Sequence, residues 1–275
     1  MPFVNLNGTF YAHDALPVTS ANSALRYGWG LFETLLVSDG QIQLAAYHWE
    51  RLFEGMKKMR LKVSRHFDPM YLTREIERTF KKNDLERLCR VRFQVFTDMD
   101  GVFADAHQPV HYLIECFSLE KAAMQWNENG WVCGIAQGVK KSNDEFANLK
   151  TCNVLPYIVA AREAKDQKWN DAFILNTDGN IVESAIANIF WVKGDKLFTP
   201  PLSEGCVAGV MRRHIIEVCT HRAIPFEESI LNLQGLMEAD EVFLSNAIRK
   251  VKWIKGFESV IYGNELTFFL SKNLF

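Results

Sequence analysis

Two apolar runs, Leu31 to Val37 and Gln41 to Leu44, meet at Asp39-Gly40, and this junction constrains the fold more than any other stretch. A glycine after an aspartate between apolar runs cues a hairpin, because a tight type I′ turn needs positive φ. A strand answered at once by its antiparallel neighbour is not the start of a βαβ crossover. Asn7-Gly8 breaks the strand-like N-terminal runs in the same way. Apolar Leu52, Phe53, Met56 and Met59 then recur at helical spacing, predicting a helix over 45–61. Further helices are expected over 70–81, from near Thr151 and over 211–221. Strands are expected over 88–96, 110–117, 132–136, 172–175, 189–192 and 241–244, with a polar loop at 140–145. Hairpins mixed with helices, without regular alternation, predict an α/β chain of α+β character rather than one doubly wound sheet. The polar stretch from Ser118 to Asn129, closed by Gly130, is the candidate connection between two domains. The expected boundaries are a smaller N-terminal domain over 1–118, a connection over 119–129 and a larger C-terminal domain over 130–275.

Composition enters by exclusion. A chain of 275 residues with 48% hydrophobic and 23% charged residues can bury a large core and is not disordered. A net charge of −2 leaves no basic surplus for nucleic acid or an anionic membrane, so a small-molecule partner is expected. No apolar run reaches membrane-spanning length, and the stretch from Met1 to Gly8 has no charged-then-apolar leader pattern. The six cysteines form no CxxC pair and no zinc spacing, which predicts buried thiols in a reducing cytoplasm and no metal.

Four places could carry chemistry. Lys150 stands in Asn148-Leu149-Lys150-Thr151-Cys152-Asn153, where a polar loop meets an apolar helix. Desolvation at such a junction lowers a lysine pKa and frees its amine as a nucleophile, whereas a solvated loop lysine does neither. Glu183 lies in Ile181-Val182-Glu183-Ser184-Ala185, where a carboxylate is costly unless it meets a cation or donor. Gly205-Cys206-Val207-Ala208-Gly209 opens onto the helix near Met211, and exposed N–H groups at a helix start suit a phosphate. Arg51, in His48-Trp49-Glu50-Arg51-Leu52, could clamp the same anion or simply face solvent.

In combination these segments form a pattern. Glu183-x-Ala185-x-x-Asn188-Ile189-Phe190, Leu197-x-Thr199 and Val207-x-Gly209-Val210-x-Arg212 resemble the signature of class IV aminotransferases, the fold type IV pyridoxal-phosphate (PLP) enzymes. Arg26-Tyr27-Gly28-x-Gly30-Leu31-Phe32-Glu33-Thr34, His48-x-x-Arg51-Leu52 and Leu149-Lys150-x-x-Asn153 extend the resemblance over most of the chain. It implies the D-amino-acid aminotransferase-like fold, two α/β domains with PLP bound between them, and a homodimer. Carried over residue by residue, Lys150 matches the Schiff-base lysine, placed in the C-terminal domain, and Glu183 matches the partner of the pyridine nitrogen. Arg51, the backbone N–H groups of Val210 and Met211, and the Asn246-Ala247 loop match the phosphate site.

Within that resemblance the reaction stays open between lyase and transaminase. The aminotransferases commonly place a threonine after the Gly-Ile/Val step, where this chain has Met211. Gly209-Val210-Met211-Arg212, Asn246-Ala247 and Phe32-Glu33-Thr34 look more like aminodeoxychorismate lyase. The D-amino-acid enzymes carry an Arg-x-His pair after a Phe-Gln-Val strand; here Phe93-Gln94-Val95 is followed by no arginine through His107, and the Gly- and Arg-rich loop of many lyases is missing too. Arg92 is the nominee for a substrate carboxylate, with Tyr27 as a second substrate contact. The alternatives are an amino-acid transaminase, of a branched-chain-type L-amino acid before a D-amino acid, and a PLP-binding homologue without turnover.

Overall fold

The structure is a computed structural model that describes residues 2–99 and 109–274. The chain divides into two compact units: Met1–Ala123 with Leu149–Val154, and Met124–Asn148 with Leu155–Phe275.

The first unit contains β1 (Phe3–Leu6), β2 (Thr9–Ala12), α1 (Ser23–Tyr27), β3 (Gly30–Ser38), β4 (Gln41–Ile42), α2 (Ala45–Lys58), α3 (Pro69–Lys82), β5 (Leu88–Thr97) and β6 (Val110–Ser118). Its six strands form one sheet in the order β2-β1-β6-β5-β3-β4. The hairpin expected at Asp39-Gly40 joins β3 to β4, with φ of 48° and 75° at its two central residues, as a type I′ turn demands. On β5, Cys89, Val91, Phe93 and Val95 are buried at every second position, the period that turns one strand face inward. Against that face α2 lays Trp49, Leu52 and Met56 and α3 lays Leu72, Ile76 and Phe80, each side chain worth about 1.5–3 kcal/mol on burial. Asp68 starts α3 by accepting from the Tyr71 N–H at 2.8 Å, with Pro69 in the first turn. Helix α2 ends at Lys58, short of the expected Leu61, because Arg60 turns into the left-handed region at φ 55°.

The second unit contains β7 (Trp131–Lys141), α4 (Leu155–Asp166), β8 (Asp171–Asn176), β9 (Ile181–Ser184), β10 (Asn188–Lys193), β11 (Lys196–Thr199), α5 (Val210–His221), β12 (Phe226–Glu228), α6 (Leu233–Met237), β13 (Glu241–Asn246), β14 (Lys250–Phe257), β15 (Val260–Ile261) and α7 (Glu265–Asn273). Its nine strands run β12-β11-β10-β13-β14-β7-β8-β9, with β15 on β14. One further pairing, Glu183 on β9 with Asn188 on β10, joins the last strand back to the third and closes six strands into a ring. Parallel pairs (β14 with β7, β7 with β8) sit among antiparallel ones, which matches the expected α+β character.

Two expectations need correction. The helix expected from Thr151 begins at Leu155, with Pro156 in its first turn. Residues 150–152 are extended instead: Phe32 N–H donates to the Lys150 carbonyl at 2.9 Å and Cys152 N–H to the Gly30 carbonyl at 2.8 Å. Those bonds to the start of β3, with Leu149 buried in the first unit's core, group Lys150 with the first unit and not with the expected C-terminal domain. The second correction is at 140–145, expected to be loop. Lys140 and Lys141 are the last residues of β7, paired with Leu175 and Asn176 of β8. Among the described residues no helix is long and apolar enough to cross a membrane.

Candidate active site

In the first unit, Lys150 is half-buried and its Nζ lies 4.6 Å from the centre of the Phe32 ring. The guanidinium of Arg92 lies 4.0 Å from the same ring, a contact that favours a cation over an aromatic face. Arg92 Nη2 also donates to Gln94 Oε1 at 3.2 Å. Phe32 on β3 thus collects two cations, one from β5 and one from the segment bonded to the start of β3. Cys152 lies between burial, which pushes its thiol up to about 11, and the charge of Arg92, which pulls it down. Tyr27 is the last residue of α1 and is exposed. Gly28 follows it with φ 67°, and a Cβ there would stand 3.1 Å from that of Asn153. His107 and the rest of residues 100–108, expected to be part of a substrate loop, lie outside the described residues.

Arg51 does not face solvent alone. Its Nε donates to Glu33 Oε1 at 2.8 Å, and its Nη2 donates to Glu33 Oε2. His48 Nδ1 faces the same Oε2 at 2.6 Å. Burial alone would raise the Glu33 carboxyl, but the Arg51 guanidinium and the His48 ring outweigh it and hold the group at about 2. Burial keeps His48 below its ordinary value, against the pull of Glu33 and with help from the charges of Arg51 and Lys150. The neutral ring therefore donates Nδ1–H to Glu33, and its buried Nε2 has no hydrogen-bond partner among the described residues.

The second unit holds the other sequence-predicted residues. Glu183 is only 3% exposed. Its Oε1 accepts from Lys141 Nζ and, at 2.7 Å, from the Tyr157 hydroxyl; its Oε2 accepts from the Val207 N–H at 3.0 Å. Burial and the charge of Glu183 raise the Tyr157 hydroxyl far above its ordinary range, so it stays a donor. The same two causes push the neighbouring Cys206 thiol up to about 12.

Most of the sequence signature proves to be the frame of this carboxylate and of the start of α5. Thr199 Oγ1 donates to the Ile189 carbonyl at 2.7 Å, and Asn188 Nδ2 donates to the Val207 carbonyl at 2.9 Å. Asn188 Oδ1 presses on Gly209 so closely that a Cβ there would lie 1.9 Å away. Arg212 Nη2 donates to the Pro200 carbonyl at 2.9 Å and pairs with Glu228. Gly209 caps α5 with no side-chain hydrogen bond, so the helix start offers an anion backbone donors from Val210 and Met211. Asn246 holds its own turn: Oδ1 accepts from the N–H groups of Ile248 (3.0 Å) and Arg249 (2.7 Å), and Nδ2 donates to the Ile186 carbonyl at 3.1 Å. Of the Asn246-Ala247 pair, the backbone and the second Nδ2 hydrogen remain to meet a phosphate.

Taken unit by unit, the first supplies an amine and a carboxylate-held arginine, and the second a buried carboxylate with a donor-rich frame and an uncapped helix start; these are group types that PLP engages. Sequence reasoning did not single out Lys141 or Tyr157. Each reaches Glu183 from far along the chain, and only an apolar neighbourhood around an acid hinted that such partners must exist.

Fold and donor set together define a PLP-dependent enzyme of the fold type IV architecture. The model for amino-transferase class IV matches residues 30–256, and the chain belongs to that family. An aminodeoxychorismate lyase of Bacillus subtilis (strain 168) is 26% identical over 267 residues, covering 95% of this chain and 89% of the relative. A branched-chain-amino-acid aminotransferase of Escherichia coli (strain K12) is 24% identical over 277 residues, covering 95% and 86%. The branched-chain aminotransferase of the thermophilic archaeon Thermoproteus uzoniensis, solved with norvaline, superposes with a TM-score of 0.88 at 22% identity, covering 99% of this chain and 93% of that one.

Proposed function

We propose that the chain is an aminodeoxychorismate lyase, converting 4-amino-4-deoxychorismate to 4-aminobenzoate and pyruvate. The observation that carries this reading over transamination is Met211. At the start of α5 it gives the phosphate seat a buried apolar side chain where a hydroxyl donor would mark the aminotransferase version. Asn246 spends its Oδ1 and one Nδ2 hydrogen on its own turn and on Ile186, and Ala247 beside it brings no hydroxyl donor.

In this reading Lys150 holds the cofactor and is the general base that takes the ring proton from substrate. Bound PLP supplies the electron sink for that step. Glu183 accepts the pyridine N–H, while Arg51, the N–H groups of Val210 and Met211, and the Asn246-Ala247 backbone hold the phosphate. Arg92, beside Phe32, takes a carboxylate of the substrate, and Tyr27 is a second substrate contact. Proton loss from the ring and departure of the enolpyruvyl group as pyruvate together leave an aromatic product. The same reading carries a homodimer, and the free cysteines support a reducing, cytoplasmic setting.

The PLP-loaded enzyme should release pyruvate from 4-amino-4-deoxychorismate with no keto acid present. Turnover that requires 2-oxoglutarate would overturn the lyase assignment. It would support transamination of a branched-chain-type L-amino acid, which the similarity to the E. coli enzyme over 95% of the chain favours as the second reading. Lys150→Ala should abolish the visible absorbance of the loaded protein, and an unchanged yellow protein would refute its role.

A further inference from the structure

We propose that Lys141 and Tyr157 are positioning residues that keep Glu183 an anion, and so keep the proton of a bound pyridine ring on its nitrogen. The inference rests on the reading of Glu183 as that nitrogen's partner. A carboxylate buried as deeply as Glu183 is driven towards its neutral form unless cations and donors compensate. A neutral acid facing a pyridine would leave the ring unprotonated and weaken it as an electron sink.

Three groups of the second unit supply the compensation. Lys141 Nζ and the Tyr157 hydroxyl share Oε1, while the Val207 N–H occupies Oε2. The Lys141 side chain is itself almost fully buried and lies 5.3 Å from the centre of the Tyr157 ring, so cation, phenol and carboxylate form one cluster. Cys206, the other titratable neighbour, stays a neutral thiol and adds no charge. Lys141 is thus the one full positive charge bonded to Glu183 among the described residues. With a cation, a phenol and a backbone N–H all donating to it, Glu183 is arranged as an acceptor, which suits a partner that brings its own N–H.

The test is the ¹⁵N NMR signal of holoenzyme reconstituted with PLP labelled at the pyridine nitrogen. Wild type should give a protonated-pyridine shift. Lys141→Met should move it towards the unprotonated value, Tyr157→Phe should move it less in the same direction, and Lys141→Arg should restore it. Thermal melts of the apo variants and borohydride labelling of Lys150 establish that each variant folds and carries PLP. If Lys141→Met does not load, Lys141→Gln and Tyr157→Phe carry the measurement. A wild-type shift in the Lys141 variants while Glu183→Gln moves overturns this inference alone. An unmoved signal in Glu183→Gln overturns the reading of Glu183 beneath it.

Discussion

Glu33 receives both arms of Arg51 and the ring of His48 while almost wholly buried. Its carboxyl falls from 4.5 to about 2, which corresponds to about 3 kcal/mol of stability. Removing one partner of a buried pair costs about 3–5 kcal/mol. Glu33→Gln should therefore lower the unfolding free energy by about that much in denaturant titration. On the proposed role of Arg51 at the phosphate, the substitution should also weaken PLP binding in a fluorescence titration, because Arg51 loses the carboxylate that fixes its orientation. Tighter binding would mean that the Glu33 charge repels the phosphate more than its bonds position Arg51. At this scale the sequence singled out Glu183 as an acid among apolar residues, and the structure gives that carboxylate the cation and donors such a setting requires. Lys141 and Tyr157 were not legible there, because each meets Glu183 across 42 and 26 residues of chain, and spacing says nothing about contacts made that way.

Elements with a local cause were read well from the sequence. The Asp39-Gly40 hairpin, the apolar stripe of α2 and the alternation along β5 each follow from a period or a turn residue. The segment around Lys150 was misread because its extended form depends on β3, which lies more than a hundred residues earlier (about 120) and lends hydrogen bonds that no local propensity reveals. The junction of β10 with α5 gives a sharper test. Gly209→Ala would drive a methyl group into Asn188 Oδ1, and overpacking of this kind costs about 1–3 kcal/mol. The variant should melt lower and bind PLP more weakly. In an Asn188→Ala background the same substitution should cost measurably less, since the colliding oxygen is gone, and equal costs in the two backgrounds would exclude the clash as the cause.

Across the whole molecule, acid acts on the two units with opposite sign. Glu33, in the first unit, is depressed, so its contribution is complete above 4.5 and is lost as pH falls towards about 2. Asp171, in the second, is raised from 3.8 to about 6 by burial, against the hydrogen bonds it accepts from the Ser184 hydroxyl and the Ala172 N–H. A raised carboxyl costs stability above its folded value, about 3 kcal/mol, and that cost disappears as pH falls from about 6 to 3.8. Mild acid should therefore stabilise the second unit while the first weakens from about 6.5 downward, where unfolded His48 gains a proton that the buried ring resists, and weakens further in strong acid as Glu33 protonates. Hydrogen exchange followed unit by unit between pH 7 and pH 4 checks this. Asp171→Asn should flatten the response of the second unit and leave that of the first unchanged. The division into two α+β halves was readable from element order. The assignment of 149–154 to the first was not, since it depends on tertiary pairing.

The pairing of Glu183 with Asn188 closes the ring of strands at the residue that carries the carboxylate. Because side chains alternate along a strand, a slip of one residue there would turn Glu183 to the opposite face. The register of the ring and the facing of its carboxylate are thus set at a single position. On the proposed role of Glu183, a chain that closes its ring out of step should not hold PLP, so imperfectly refolded material should show fewer loaded molecules at an unchanged rate per loaded molecule.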